Sequence, residues 1–377
     1  MSNCKSQLVS ILKKIFVRKA AVSHTLTFAP MEKSYTMKTG DETLSMTVVP
    51  PEEYNNYADS LRELRPHSYQ IEAMLRAQLK YDFFGLINAK LYAPASSSQR
   101  HHMAVISPSG SSTEMESLSL FWDDDQLSDG TVYRLLQSLP LNWQRPYVIR
   151  QIPIHLSAKL DLMMQELSGG ILRQFAPFPV VILSLAPEDT PPVPSLPSGY
   201  VFGKLDASFS EEVMSVWSDA PTETAKTVSK YFEKFPSVAI FSKENSRKCL
   251  ANVVENGSDP STNGKSAELA SYCCFKQSSD VGMTYTDEKH RRKGLARAAT
   301  LQLCHELHSQ GIFVNVMIER VNEISIKLHK SMGFKHCTDS LFIFYIPKGF
   351  NIYSFSHFEN IAKYIPEDQI KKWKDCL

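Results

Sequence analysis

Arg291-Arg292-Lys293-Gly294-Leu295-Ala296 decides how this chain is read. The six residues follow a predicted strand over 281–286 and open a helix that carries Ala296, Ala299, Leu303 and Leu307 on one face. A glycine-containing turn at a helix start presents consecutive backbone N–H groups and the positive end of the helix dipole, and three cationic side chains add charge at the same point. That combination suits a pyrophosphate. It predicts a phosphorylated cofactor held by the N–H groups of Arg292, Lys293, Gly294, Leu295 and Ala296, with Gly294 permitting close approach and Arg291 and Lys293 adding charge. A merely solvated basic surface is the weaker account of these cations, given where the turn stands.

The rest of the composition bounds the answer. A chain of 377 residues, 43% hydrophobic and with net charge +1, can bury two ordinary cores, and nothing in that balance points to nucleic acid. No apolar run approaches the roughly 18 to 20 residues needed to cross a bilayer. The seven cysteines show neither metal-ligand spacing nor a disulfide framework, so reduced thiols and no metal are expected. Residues 1–31 contain Lys5, Lys13, Lys14, Arg18 and Lys19 with no acidic residue before Glu32, and Leu8, Ile11, Leu12, Ile15 and Phe16 form a helical stripe. This reads as a mitochondrial transit segment, slightly ahead of an ordinary basic helix in a cytoplasmic protein.

Five prolines within residues 187–197 exclude both helix and central strand and mark a linker over 187–198. After it the predicted order is strand (200–205), two helices (210–217 and 222–235), strands (238–241, 269–275, 281–286), the helix after the turn, a strand (312–318), a helix from Asn322 ending at Gly333, and a strand (341–346). Ile324, Leu328 and Met332 stand in register on that last helix. The first half predicts helices over 51–64 and 69–81, strands over 84–92, 103–106 and 118–122, a helix over 131–139, a strand over 147–152, a helix over 155–167 and a strand over 179–185, which repeats the second half's order.

The second half's order, with Arg291-x-x-Gly294-x-Ala296 after its fourth strand and Asn322-Glu-Ile-Ser-Ile-Lys-Leu-His-Lys-Ser-Met-Gly333-Phe334 about twenty-eight residues further on, resembles the GNAT superfamily of acyl-CoA-dependent N-acyltransferases. The likeness extends to the glycine N-acyltransferase family through Tyr231-Phe-Glu-Lys-Phe-Pro236 before an apolar strand, and through Gln277-Ser278-Ser279-Asp280 where that family has a Gln-Thr-Gly-Glu-like turn. It spans most of residues 198–348 and, more faintly, the region of Leu141-Asn142-Trp143. The resemblance implies a mixed α+β fold of two tandem GNAT-like domains with mostly antiparallel sheets. It places a degenerate domain over 45–186, a catalytic one over 199–348 and a tail over 349–377. It also implies acyl-CoA (acetyl-CoA or a longer or aromatic acyl-CoA) as co-substrate, contacts from Asn322 and the backbone of Thr284 and Thr286 to the pantetheine arm, and an amine acceptor such as glycine or another small amino acid. Where the second half has its basic turn the first has Asp123-Asp124-Asp125-Gln-Leu-Ser-Asp129-Gly130, whose carboxylates repel a pyrophosphate, so that half is expected to hold no cofactor.

An N-acyltransferase must take a proton from an ammonium acceptor and stabilise an oxyanion. Asp280, at the start of the fourth strand, is the candidate base. It stands where the family has a Glu, one methylene longer, which favours a bridging water, and the alternative is that it only ends its turn. Many GNAT enzymes offer a Tyr hydroxyl to the departing thiolate where this chain has His329. Histidine can donate near neutral pH, although a helix-surface histidine is the simpler reading. Asn322 reads equally as an N-cap. A GNAT enzyme acting on protein lysine or a polyamine, and a catalytically silent acyl-CoA-binding protein, remain alternatives.

Overall fold

The structure, a computed structural model, describes residues 44–82, 84–108, 116–217, 224–243 and 268–350. The predicted transit segment and nearly all of the tail lie outside the described residues. The first half runs β1 (Met46–Val48), α1 (Tyr54–Arg62), α2 (Tyr69–Tyr81), the single turn α3 (Phe84–Ile87), β2 (Ala89–Pro94), β3 (Met103–Pro108), β4 (Glu116–Trp122), α4 (Asp129–Gln137), β5 (Tyr147–Pro153), α5 (Ile154–Leu167) and β6 (Leu172–Leu185). The second runs β7 (Tyr200–Gly203), α6 (Ser210–Val216), α7 (Ala225–Lys234), β8 (Ser237–Ser242), β9 (Glu268–Phe275), β10 (Val281–Thr286), α8 (Leu295–Ser309), β11 (Val314–Glu319), α9 (Glu323–Ser331) and β12 (Lys335–Pro347). The fold is the expected mixed α+β arrangement with two like halves. The strand expected over 84–92 is corrected: it begins as α3, and left-handed Asn88 (φ 49°) breaks the chain before β2.

The larger departure is in the two terminal strands. Both were expected to be short, and both are at least twice the expected length because each half's last strand reaches into the other half. One sheet has the order β1-β2-β3-β4-β5-β12-β6-β11, so β12 stands between the first half's β5 and β6, and β6 stands between β12 and the second half's β11. The β12–β6 pair runs antiparallel from Lys335↔Ser184 to Pro347↔Leu172. Prolines normally end a strand. Pro177 escapes this because it falls in the irregularity between Phe342↔Phe178 and Phe344↔Phe175, where the ladder skips. Leu341-Phe-Ile-Phe-Tyr-Ile346 has no polar face because the strand is covered on both sides. Ile343 and Tyr345 lie in the core beneath α4 and α5, while Val181, Leu183 and Leu185 of β6 join the core of α8. Each such side chain contributes about 1.5–3 kcal/mol on burial, and here each half supplies part of the other's core.

The second sheet, β10-β9-β8-β7, ends at β10. Among the described residues β10 and β11 share no ladder, so the two sheets open from each other along a V. The first half's equivalent strands, β4 and β5, pair in parallel over Glu116–Leu118. The proline-rich segment leaves β6 as a 3-10 turn, Pro187–Asp189, and reaches β7 without entering a sheet. Thr190 Oγ1 lies 3.1 Å from His308 Nδ1 and the Pro191 carbonyl 2.9 Å from His305 Nε2, so α8 ties the segment down.

Candidate active site

The turn after β10 leaves backbone N–H groups uncapped at the start of α8. Arg292 (φ 64°) and Gly294 (φ 77°) are both left-handed, and α8 begins at Gly294 with no side-chain cap. The first bond of the helix runs from the Ala298 N–H to the Gly294 carbonyl (3.0 Å), so the N–H groups of Leu295, Ala296 and Arg297 have no partner inside the helix. The three cations are not equivalent. Arg291 folds back, its Nε donating to the Thr286 carbonyl (3.1 Å), and Lys293 donates from Nζ to the Tyr200 hydroxyl (2.6 Å). Arg292 stands exposed.

β10 leads to this turn along the open side of the V. Its ladder with β9 pairs Gly282↔Cys274 and then Tyr285↔Tyr272, so Met283 and Thr284 together face Cys273 alone. This is a β-bulge, with Met283 in the left-handed region (φ 50°), and it turns the local backbone away from the ladder. The side chains of Thr284 and Thr286 turn to β9, reaching Cys273 Sγ (3.2 Å) and Ser271 Oγ (2.8 Å). The Thr286 carbonyl is already taken by Arg291. Cys273 and Cys274 are buried, and burial pushes both thiols up.

Asp280 sits at the foot of the V. The hairpin joining β9 and β10 closes with Lys276 N–H to the Asp280 carbonyl (3.0 Å) and passes through left-handed Ser279 (φ 60°). The hairpin tip is not at the surface. Asn315 of β11 donates from Nδ2 to the Ser279 carbonyl (2.6 Å), stitching the base of the V shut. Tyr69 of α2 is buried beside Asn315, its hydroxyl making no hydrogen bond of ordinary geometry. The Asp280 carboxylate is wholly buried: Ser278 Oγ donates to Oδ1, and Lys276 Nζ lies 2.8 Å from Oδ2. Lys276 reaches it across Gly282, where a Cβ would stand 2.6 Å from Lys276 Cε.

The second predicted segment forms α9. Asn322 caps it, its Oδ1 accepting from the Ser325 N–H (3.1 Å). The helix ends at Gly333 (φ 95°) with Gly333 N–H to the Lys330 carbonyl (3.1 Å) and Phe334 N–H to the His329 carbonyl (3.2 Å), the paired bonds of a left-handed cap. Two expectations are corrected. Ile324 is 84% exposed, because the buried face of α9 runs through His329 and Met332. His329 is not a surface residue: it is buried against the Phe334 ring edge (5.2 Å between centroids). Its Nδ1 lies 2.8 Å from the Ser325 carbonyl and must donate there, which leaves Nε2 bare in the neutral ring, and burial lowers its pKa. In this state Nε2 accepts a proton and has none to give.

This geometry has counterparts among solved structures. A Drosophila protein from a structural-genomics programme superposes with TM-score 0.64 over 81% of this chain and 99% of its own, at 17% identity. A GCN5-related N-acetyltransferase from Sphaerobacter thermophilus does so with TM-score 0.50 over 83% and 99%, at 13% identity. At these identities the likeness is one of fold. The family model described as FR47-like protein matches residues 262–343, which contain β9, β10, the turn, α8, β11 and α9. No curated protein sequence matches the chain.

The first half differs at the corresponding turn. Its turn between β4 and α4 is capped, Ser128 Oγ accepting from the Thr131 N–H (3.2 Å). Three of its four carboxylates are occupied: Asp123 lies 3.1 Å from His102, and Asp124 and Asp129 lie 2.8 and 3.5 Å from Lys159 Nζ. The residues that sequence reasoning missed are Lys276, Asn315, Tyr69, Tyr200 and His290. Asn315, Tyr69, Tyr200 and His290 act across a distance in the chain, and Lys276, four residues from Asp280, meets it only because the hairpin folds back.

Proposed function

We propose that the chain is an acyl-CoA-dependent N-acyltransferase with its cofactor site in the second half. The observation that carries this is the unpaired edge of β10 facing β11, leading into an uncapped, cation-ringed helix start. The N–H groups from Arg292 to Ala296 would hold the pyrophosphate, and the edge of β10 around the Met283–Thr284 bulge would take the pantetheine arm as an added strand. Asn322 borders the same arm. The acyl-CoA supplies an activated thioester carbonyl. The bulged backbone offers an N–H outside the β9 ladder for the oxyanion, and Asp280 is our candidate base, acting through water from beneath the hairpin. The bare Nε2 of His329 makes it a proton acceptor rather than the donor to a leaving thiolate.

The likeness of Gln277-Ser278-Ser279-Asp280 and Tyr231–Pro236 to glycine N-acyltransferases supports glycine or another small amino acid as acceptor. The acid-free basic start supports a mitochondrial location. Fusing residues 1–31 to a fluorescent protein tests the latter, and diffuse cytoplasmic signal would refute it.

One observation favours a second reading, a catalytically silent acyl-CoA-binding protein: both Asp280 oxygens already have partners within the chain. Thiol release from a panel of acyl-CoAs, measured against glycine, other amino acids, a lysine peptide and a polyamine, separates the readings. Turnover with an amino acid supports the first. Binding of acyl-CoA without turnover on any acceptor supports the second, and absence of binding removes both.

A further inference from the structure

Lys293 is the one cation of the turn held by a chain of buried and half-buried groups from other elements. Its Nζ lies 2.6 Å from the Tyr200 hydroxyl and 5.2 Å from the centroid of that ring. Tyr200, at the start of β7, lies 2.8 Å through the same hydroxyl from His290 Nδ1, and the two rings meet edge to face. His290 is buried just before the turn, and its Nε2 lies 3.5 Å from Glu268 Oε1 at the start of β9. Glu268 also takes Lys289, which with His290 holds its carboxyl below the usual range.

With Nδ1 of His290 as the acceptor, one arrangement of protons satisfies this chain. An ammonium has no lone pair, so Lys293 must donate to the Tyr200 oxygen. The single phenolic hydrogen must then go to His290 Nδ1, and the neutral imidazole carries its own hydrogen on Nε2, towards Glu268. Every donor points away from Lys293 and towards the carboxylate. The lysine charge is therefore held beside Tyr200, at the turn that opens α8.

We propose that Tyr200, backed by His290 and Glu268, is a positioning residue that pre-sets Lys293 to bind a phosphate of the CoA-type cofactor. This rests on the reading of the turn as a pyrophosphate site. A free lysine side chain must be ordered when its ligand binds, at a cost of up to about tenfold in affinity, and tethering it beforehand removes that cost. The phosphate concerned belongs either to the pyrophosphate or to the 3′-phosphate of the cofactor.

The test is calorimetric binding of CoA and of 3′-dephospho-CoA to the full chain and to Tyr200→Phe, Lys293→Met, His290→Gln and the Tyr200/Lys293 double variant, with thermal unfolding to confirm folding. Tyr200→Phe keeps the ring under the ammonium and removes the hydroxyl, and is expected to weaken CoA binding about five- to tenfold. Lys293→Met weakens it at least as much, and the double variant no further than Lys293→Met alone. His290→Gln shows a smaller loss that also vanishes without Lys293, and it decides the matter should Tyr200→Phe not fold. A loss confined to CoA assigns the 3′-phosphate, and an equal loss with dephospho-CoA assigns the pyrophosphate. Either supports the proposal. Wild-type affinity in Tyr200→Phe, or a loss that persists undiminished in the Lys293→Met background, overturns it. Failure of the wild-type chain to bind CoA overturns the pyrophosphate reading itself, and the proposal with it.

Discussion

Gly294 and Gly311 flank the same helix and make a matched pair. Their φ angles are 77° and 73°, and a Cβ built on either meets nothing within 4 Å. Alanine at each position therefore carries the same conformational penalty and no steric one. A left-handed residue with a Cβ costs about 1–2 kcal/mol, from which about 0.4–1 kcal/mol is offset by the stiffer unfolded chain, leaving roughly 1 kcal/mol or less. For a chain of this length that is a drop of about 1–3 °C in thermal midpoint for either variant. Binding should separate them. Gly294 stands at the uncapped N-terminus of α8, where a phosphate must approach the backbone, whereas Gly311 closes the other end, with Ile312 N–H bonded to the Leu307 carbonyl (2.9 Å). Gly294→Ala is expected to lose CoA affinity by about tenfold or more, roughly 1.4 kcal/mol, and Gly311→Ala to bind as wild type. Thermal unfolding and calorimetric titration on the two variants measure both terms. Equal affinity in the two, with equal midpoints, would refute the placement of the pyrophosphate on this turn.

Further expectations follow from the same geometry. Asp280→Asn should lower turnover at least about 100-fold with CoA affinity unchanged if the carboxylate is the base, whereas Lys276→Met, which strands a wholly buried carboxylate, should cost about 3–5 kcal/mol in chemical denaturation; wild-type turnover in Asp280→Asn removes the base assignment. Asn322→Ala should lose about 1 kcal/mol of stability with the cap, and Asn322→Asp, which can still cap, should keep stability but lose affinity if the amide N–H₂ meets the cofactor; unchanged affinity in both leaves Asn322 a cap alone. Burial lowers the pKa of His329, so below about pH 6.5 the unfolded chain binds a proton that the folded chain refuses. The corresponding stability is intact above that pH and is lost as pH falls towards the depressed folded value, and His329→Gln should show a shallower fall in midpoint between pH 7 and 5; identical slopes count against the buried neutral ring. Since β6 and β12 each complete the other half's sheet, urea should unfold both halves in one transition, followed through Trp143 in the first half and Trp217 in the second. Two separated transitions would contradict the shared sheet.

Much of the fold is legible locally. The helix over 69–81 and the strand over 281–286 have the predicted bounds, because side-chain periodicity and flanking turn residues are properties of a few neighbours. Gly333 is legible as a helix end for the same reason, although its Cβ would also meet the Asp189 carbonyl at 3.1 Å, which only the folded chain reveals. Strand length in β6 and β12 was illegible. Pro177 looks like a terminator until a partner strand with a compensating irregularity is known, and that partner lies more than 150 residues away. His329 was misjudged because the helical pattern around it was anchored on Ile324, whereas the cap at Phe334 folds an aromatic ring over the histidine.

The candidate site divides along the same line. The sequence by itself determined the turn proposed to hold the anion, since a basic turn with glycine between a strand and a helix carries its N–H groups and charges within six consecutive residues. It also determined that the first half's acidic turn is no equivalent. Only the tertiary structure decided where Asp280, Lys293 and His329 stand. Asp280 is buried because Asn315 draws the hairpin tip against β11, and Lys293 is aimed because Tyr200 meets it from β7 with His290 behind the tyrosine. Turn chemistry is set by adjacent residues. The protonation, burial and aim of a side chain are set by whatever packs beside it, and for these three residues that comes from β7, β11 and the cap at Phe334.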